Sequence, residues 1–370
     1  MATRARRTPA KRSALITRDF FVPHVSTVPA NAGQLVGLHV RQKVSAKVDR
    51  SKPGEARVVL MVHGGSSPCV PVYDLDYKDY SWMNHLAAAG CNVFAMDLTG
   101  YGSSPRPMMD NPGNVNPDQQ AHIMPRPLLA PRKPDYPHEL VTIRHNWDEI
   151  GTVVDYLRRH FRVKRVSLVG WSAGCPRVGG YAALHPEKVD RVVLFAGGKP
   201  RHGLKIPEQP GPGSPIKLQT RESLEKKRWD PAVRSPDQVE PGIRDIVWKQ
   251  TMDWDRIGAG WGPTGGVMRI PNRTDFGWTP GLAAKLSAPT LIMTGEFDHP
   301  EDRIAVYEQI GARYKAFLKI ACGSHFIQWE KQHGVLFAAS LEWLSTGKLR
   351  DKRTGRFSVN ADGNYQFEGK

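Results

Sequence analysis

Three polar residues stand where apolar runs end, and their types can do chemistry together. Ser172 follows Val166-Ser167-Leu168-Val169 inside Gly170-Trp171-Ser172-Ala173-Gly174, a match to G-x-S-x-G with a helix-compatible run, Val178 to His185, behind it. A strand before and a helix after give the spacing of a nucleophile elbow, a tight turn that lifts a serine hydroxyl out at the sheet edge. Serine is a weak nucleophile at neutral pH and needs a base. Histidine suits that role, and a carboxylate is required to hold its tautomer and stabilise the imidazolium. His325, in Cys322-Gly323-Ser324-His325, and Asp298, in Gly295-Glu296-Phe297-Asp298, each follow a later apolar run. Glu296 lies two residues from Asp298 and is the alternative acid.

These residues require elements that bring them to one edge. Val58–Val62, Asn92–Asp97, Val166–Val169, Arg191–Ala196, Thr290–Thr294 and Ala316–Ile320 read as strands buried on both faces. Phe20–Val28 and Val36–Val44 read as a hairpin. Helical runs fall at Ser81–Ala89, Leu140–His160, Val178–His185, Asp302–Gly311 and Val335–Leu344. Such alternation implies an α/β fold with a mostly parallel central sheet flanked by helices. Catalytic groups then collect in loops at the carboxyl ends of strands. The stretch Ser104–Pro137 holds nine prolines, too many for a long helix or a central strand. Residues 197–286 lack the alternation and hold five of the ten tryptophans, as expected of an inserted cap. The organisation expected is a disordered basic tail over 1–18, a core over 19–196 and 287–346, the cap or lid over 197–286, and a C-terminal tail over 347–370 with a short hairpin.

The set of motifs resembles the α/β-hydrolase superfamily over Phe20–Leu344. Besides the elbow, His63-Gly64-Gly65 resembles that family's oxyanion loop. Asp97-Leu98-Thr99-Gly100-Tyr101-Gly102-Ser103 resembles its D-x-x-G-x-G-x-S turn, and Gly323-Ser324-His325-Phe326 its histidine loop. The chain order Ser, Asp, His is also that of the family. The resemblance implies Ser172, Asp298 and His325 as a catalytic triad, with the backbone amides of Gly65 and Ala173 as the oxyanion hole. Trp171, and Trp254 and Trp261 from the cap, are expected to contact substrate. It implies a serine esterase- or lipase-like carboxylic ester hydrolase, extending to lactones, that works on a small molecule through an acyl-enzyme and needs neither cofactor nor metal. The same triad serves C–C bond hydrolases, thioesterases, amidases or peptidases and perhydrolases, and a small-molecule receptor can keep the fold for binding alone. An aspartate nucleophile is excluded by Ser172.

Composition narrows the classes further. The net charge is +16, and residues 1–18 hold six Lys/Arg and no acid, while residues 347–370 add six basic and three acidic groups. The body is therefore only mildly basic, and no run mixes basic and aromatic residues as a nucleic-acid motif does. No run is long enough for a membrane span, and Met1–Arg18 lacks an apolar signal core. Four cysteines without paired spacing argue against a zinc site or a disulfide framework and for reduced thiols in the cytoplasm.

Overall fold

The continuous apolar runs form the centre of one ten-stranded sheet. The computed structural model describes residues 14–369 apart from residues 53, 127, 263, 264, 274 and 275. The strands are β1 (Leu15–Val25), β2 (Leu35–Ser45), β3 (Arg57–Val62), β4 (Cys91–Met96), β5 (Val166–Trp171), β6 (Val189–Phe195), β7 (Ile216–Thr220), β8 (Val267–Pro271), β9 (Thr290–Gly295), β10 (Lys315–Ile320), β11 (Gly355–Val359) and β12 (Tyr365–Gly369). The large sheet runs β1-β2-β4-β3-β5-β6-β9-β10-β11-β12. Pairing is parallel from β4 through β11 and antiparallel at the two edges. Every residue of β4, β5 and β9 is buried, as strands covered on both faces must be.

Six described α-helices have seven or more residues: α1 (Trp82–Ala88), α2 (Ile143–Phe161), α3 (Gly174–Leu184), α4 (Ile243–Asp253), α5 (Pro300–Gln309) and α6 (His333–Thr346). All but α4 flank the sheet, α2 packing on α3 and α1 on α6. Helix α2 starts three residues later than its apolar pattern suggests. The reason is local: the Thr142 amide donates to His145 Nδ1 at 2.9 Å, closing a capping box. No described helix is long and apolar enough to cross a membrane.

The disordered basic tail is corrected at its described end, and the short hairpin expected over 347–370 is present as β11–β12. The basic segment 1–18 lies outside the described residues as far as residue 13, but Leu15–Arg18 belong to β1, paired with β2, and Arg18 donates to Asp49 at 2.7 Å. The segment 347–370 carries β11 and β12, which extend the sheet beside β10. Its alternation is the cause: Gly355, Phe357 and Val359 are buried while the residues between them are half-buried. The four cysteines are unpaired.

Two segments lie off the large sheet. Between β6 and β9 the chain forms the antiparallel pair β7–β8 and helix α4. The proline-rich stretch packs beside that pair, its Asn116 amide donating to the Ile216 carbonyl at 2.9 Å. Val115, Ile123, Ile216, Leu218 and Val267 share a second apolar cluster there. The prolines thus shape an ordered layer, made of short 3-10 turns at Pro112–Asn114 and Pro117–His122.

Candidate active site

Ser172 sits at the end of β5 with φ +54°, in the left-handed region that a non-glycine residue rarely adopts. The flanking glycines explain why the turn fits. A Cβ on Gly170 would lie 2.5 Å from the Gly174 carbonyl oxygen, and one on Gly174 would lie 2.3 Å from that of Val62. The amide of Ser172 donates to Phe195 O at 2.9 Å, tying the turn to β6. Helix α3 begins directly after it.

The loops after β9 and β10 bring the partners. His325 Nε2 lies 2.9 Å from Ser172 Oγ. His325 Nδ1 is 3.2 Å from both carboxylate oxygens of Asp298. With Nδ1–H facing the carboxylate, Nε2 is the nitrogen left to accept the serine proton. Glu296 is turned elsewhere, accepting from the Cys322 amide at 3.0 Å.

Gly65, after β3, lies against Ala173: a Cβ on Gly65 would be 3.5 Å from that of Ala173. Neither amide has a protein acceptor among the described residues, so both N–H groups remain available to a ligand. The loop is held from below by a fully buried cation. Arg177, on α3, donates from Nη1 to the carbonyls of His63 at 2.7 Å and Gly64 at 2.9 Å, and from Nε to Asn146 at 3.0 Å. Tyr101 Oη donates to the Gly65 carbonyl at 2.9 Å. His63 is a structural member. Burial, then the Arg177 charge, push its pKa down to about 3, so it stays neutral and accepts from the Leu98 amide at 3.2 Å.

A cavity of about 370 Å³ opens over Ser172 and His325, and its aromatic wall is Phe276 and Trp278. The expectation for Trp254 and Trp261 is corrected. Trp254 lines a separate cavity with Arg106 and Asp255, its ring 5.0 Å from that of His39. Trp261 packs on the second apolar cluster beneath Arg269. Trp261 serves the core of the layer around β7–β8, while Trp254 packs against the main core and His39 and Arg41 of β2. Trp171 is buried beside the site, its Nε1 donating to the His325 carbonyl at 2.9 Å, so it steadies the histidine loop.

Three residues that sequence reasoning missed touch this machinery. Arg303, on α5, is buried and donates to Asp298 Oδ2 at 2.8 Å and to the Ala196 carbonyl at 3.2 Å. Arg177 is the second. Glu330 is the third: it accepts from the Ser324 amide at 2.9 Å, from Trp229 Nε1 at 3.1 Å and from Gln238 Nε2 at 3.1 Å. It therefore joins the histidine loop to the segment between β6 and β9. Burial raises its pKa, against the donors that favour its charge. The spacing of Asp298 and Arg303, five residues with α5 beginning between them, is the one local signal for Arg303.

Comparisons with known proteins agree with this architecture. The sequence profile described as the alpha/beta hydrolase fold matches residues 57–220, the stretch from β3 through β7 that carries Gly65 and Ser172. No curated protein matches the chain in sequence. Among solved structures, a thermophilic esterase from Thermogutta terrifontis is similar with a TM-score of 0.51 and 16% identity, over 88% of this chain and 98% of that one. A serine hydrolase from the polyaromatic-hydrocarbon-degrading bacterium Cycloclasticus zankles gives a TM-score of 0.51 and 12% identity, over 89% and 98%. A serine hydrolase involved in carbazole degradation gives 0.50 and 17%, over 90% and 99%. At such identities the likeness is one of fold. With a parallel sheet in this strand order, a serine at φ +54° where β5 turns into α3 and a profile match across that turn, the chain has the α/β-hydrolase fold.

Proposed function

We propose that this protein is a serine hydrolase that cleaves carboxylic esters through an acyl-enzyme intermediate, in the cytoplasm. Ser172 Oγ attacks the ester carbonyl while His325 Nε2 takes its proton. Asp298 keeps Nδ1 protonated and offsets the imidazolium charge. The amides of Gly65 and Ala173 receive the oxyanion; one such donor is generally worth about 3 kcal/mol in the transition state. The imidazolium returns the proton to the departing alkoxide, and the same groups then activate water against the acyl-enzyme. Residues 197–286 act as a cap on a core of 19–196 and 287–346, with Trp278 and Phe276 forming the apolar side of the substrate cavity. The observation that carries this reading is the 2.9 Å contact of Ser172 Oγ with a histidine whose other nitrogen faces Asp298.

The test is covalent labelling followed by turnover. A fluorophosphonate is expected to label wild type at Ser172 and to leave Ser172→Ala unlabelled. A panel of p-nitrophenyl esters of rising chain length is expected to show turnover with an optimum that the S172A protein lacks. Labelling that persists unchanged in the S172A protein removes Ser172 as nucleophile.

A further inference from the structure

We infer that the cavity over Ser172 takes an ester whose substrate also carries a carboxylate, and that Arg201 is the group that receives it. This deepens the ester-hydrolase reading and rests on it. Three cations line the cavity: Lys199, Arg201 and Arg303. Two are already matched. Lys199 Nζ lies 2.8 Å from Asp302 Oδ1, and Arg303 holds Asp298 at 2.8 Å. The Arg201 guanidinium has no hydrogen-bond acceptor or acidic partner among the described residues, so the cavity keeps one positive charge in excess. Arg201 is exposed but its backbone is fixed, its amide donating to the Trp278 carbonyl at 3.0 Å. That bond joins the charged wall, reached by the loop after β6, to the aromatic wall of Trp278 and Phe276. A ligand matching both walls has an apolar spacer and an anionic end, with the ester between them and Ser172. A guanidinium presents a fork of donors fitted to a carboxylate, and a hydrogen bond to a charged group is worth about tenfold or more in affinity.

The test compares two esters of one acyl length, the mono-p-nitrophenyl ester of glutaric acid and p-nitrophenyl pentanoate. The anionic ester is expected to be favoured in kcat/KM by about tenfold in wild type, and the preference to shrink as salt is raised. Arg201→Gln is expected to bring the ratio near one through a higher KM for the glutarate ester, and Arg201→Lys to keep part of the preference. A wild type that favours pentanoate, or a ratio that Arg201→Gln leaves intact, overturns the inference. If pentanoate is hydrolysed and Ser172 is labelled while no anion preference exists, the hydrolase reading stands and this inference alone fails. If neither ester is hydrolysed, the hydrolase reading fails, and calorimetric binding of glutarate then decides the cavity. Binding to wild type that weakens about tenfold in the R201Q protein supports the anion site; equal binding, or none, overturns it.

Discussion

A serine held at φ +54° gives up about 1–2 kcal/mol to the clash between Cβ and its own carbonyl. The neighbours support that conformation: Gly170 and Gly174 let the turn approach where a Cβ would clash, and the Phe195 carbonyl holds the Ser172 amide. The result is a Ser172 hydroxyl 2.9 Å from His325 Nε2, the nitrogen proposed as its base. The choice of acid follows from contacts of the same kind. Asp298 faces His325 Nδ1 with both oxygens, whereas Glu296 caps the turn at Cys322. Asp298→Asn is therefore expected to cut kcat by about 10⁴, the scale for an imidazole left in the wrong tautomer. Glu296→Gln is expected to change kcat by less than about tenfold, since only one turn bond is affected. Steady-state kinetics on one ester checks both, and a crippled E296Q protein beside an active D298N one reverses the assignment.

Each group proposed for catalysis follows a strand end, but the loops are held by residues from other elements. Arg177 connects α3 to the loop after β3 by two bonds to carbonyls at His63 and Gly64, and these orient the following amide at Gly65. Arg177→Met is expected to lower kcat by about 10- to 100-fold with little change in KM, a part of the loss seen when an oxyanion donor is removed outright. Thermal melts separate this from unfolding, and partial recovery in Arg177→Lys is expected because one donor returns. An equal loss on KM and kcat would make Arg177 a packing residue only. The strands, the serine and its two partners were legible in the sequence because each is a local pattern: an apolar run ending in glycines and one polar residue. Arg177 and Glu330 were not, since His63, Gly64, Trp229 and Gln238 lie on other elements and no local spacing marks a long-range bond, while Arg303 had only its five-residue spacing from Asp298 as a signal. The tryptophans show the same limit in reverse. Five in one segment announce an aromatic layer, but their composition does not say that Trp278 faces the site while Trp254 packs against β2 and Trp261 against the cluster around β7–β8.

Across the whole molecule, a buried cation ties the edge hairpin β1–β2 to the turn after β4, beside the β2–β4 ladder. His39 Nδ1 lies 2.7 Å from Asp97 Oδ2, and Nε2 lies 3.0 Å from Asp19 Oδ1. Both nitrogens must donate to satisfy both carboxylates, so the ring is an imidazolium. Burial works against that charge, but the bonds to Asp19 and Asp97 outweigh it and bring the pKa up to about 9. The same bonds hold Asp19 and Asp97 below the ordinary carboxylate range, again against their burial. Asp97 in turn receives the Cys69 amide at 2.7 Å, and Gly102 packs so close that a Cβ there would sit on the Asp97 carboxylate, so the turn after β4 depends on the pair. A group whose pKa rises on folding stabilises fully below its unfolded value and loses that stabilisation as pH climbs through the folded one. For His39 the window runs from about 6.5 to about 9. The carboxylates act in the opposite sense, with stabilisation present above about pH 4 and lost as acid protonates them. Maximum stability is thus expected between about pH 4 and 6.5, falling by up to roughly 3 kcal/mol toward pH 9.5 as His39 gives up its proton. The urea midpoint of wild type, followed across that range, is expected to drop. His39→Gln is expected to start lower at pH 6 and to stay nearly level to pH 9.5, because no imidazolium remains to be lost. A midpoint in the H39Q protein that falls as steeply as wild type would place the alkaline sensitivity elsewhere in the molecule.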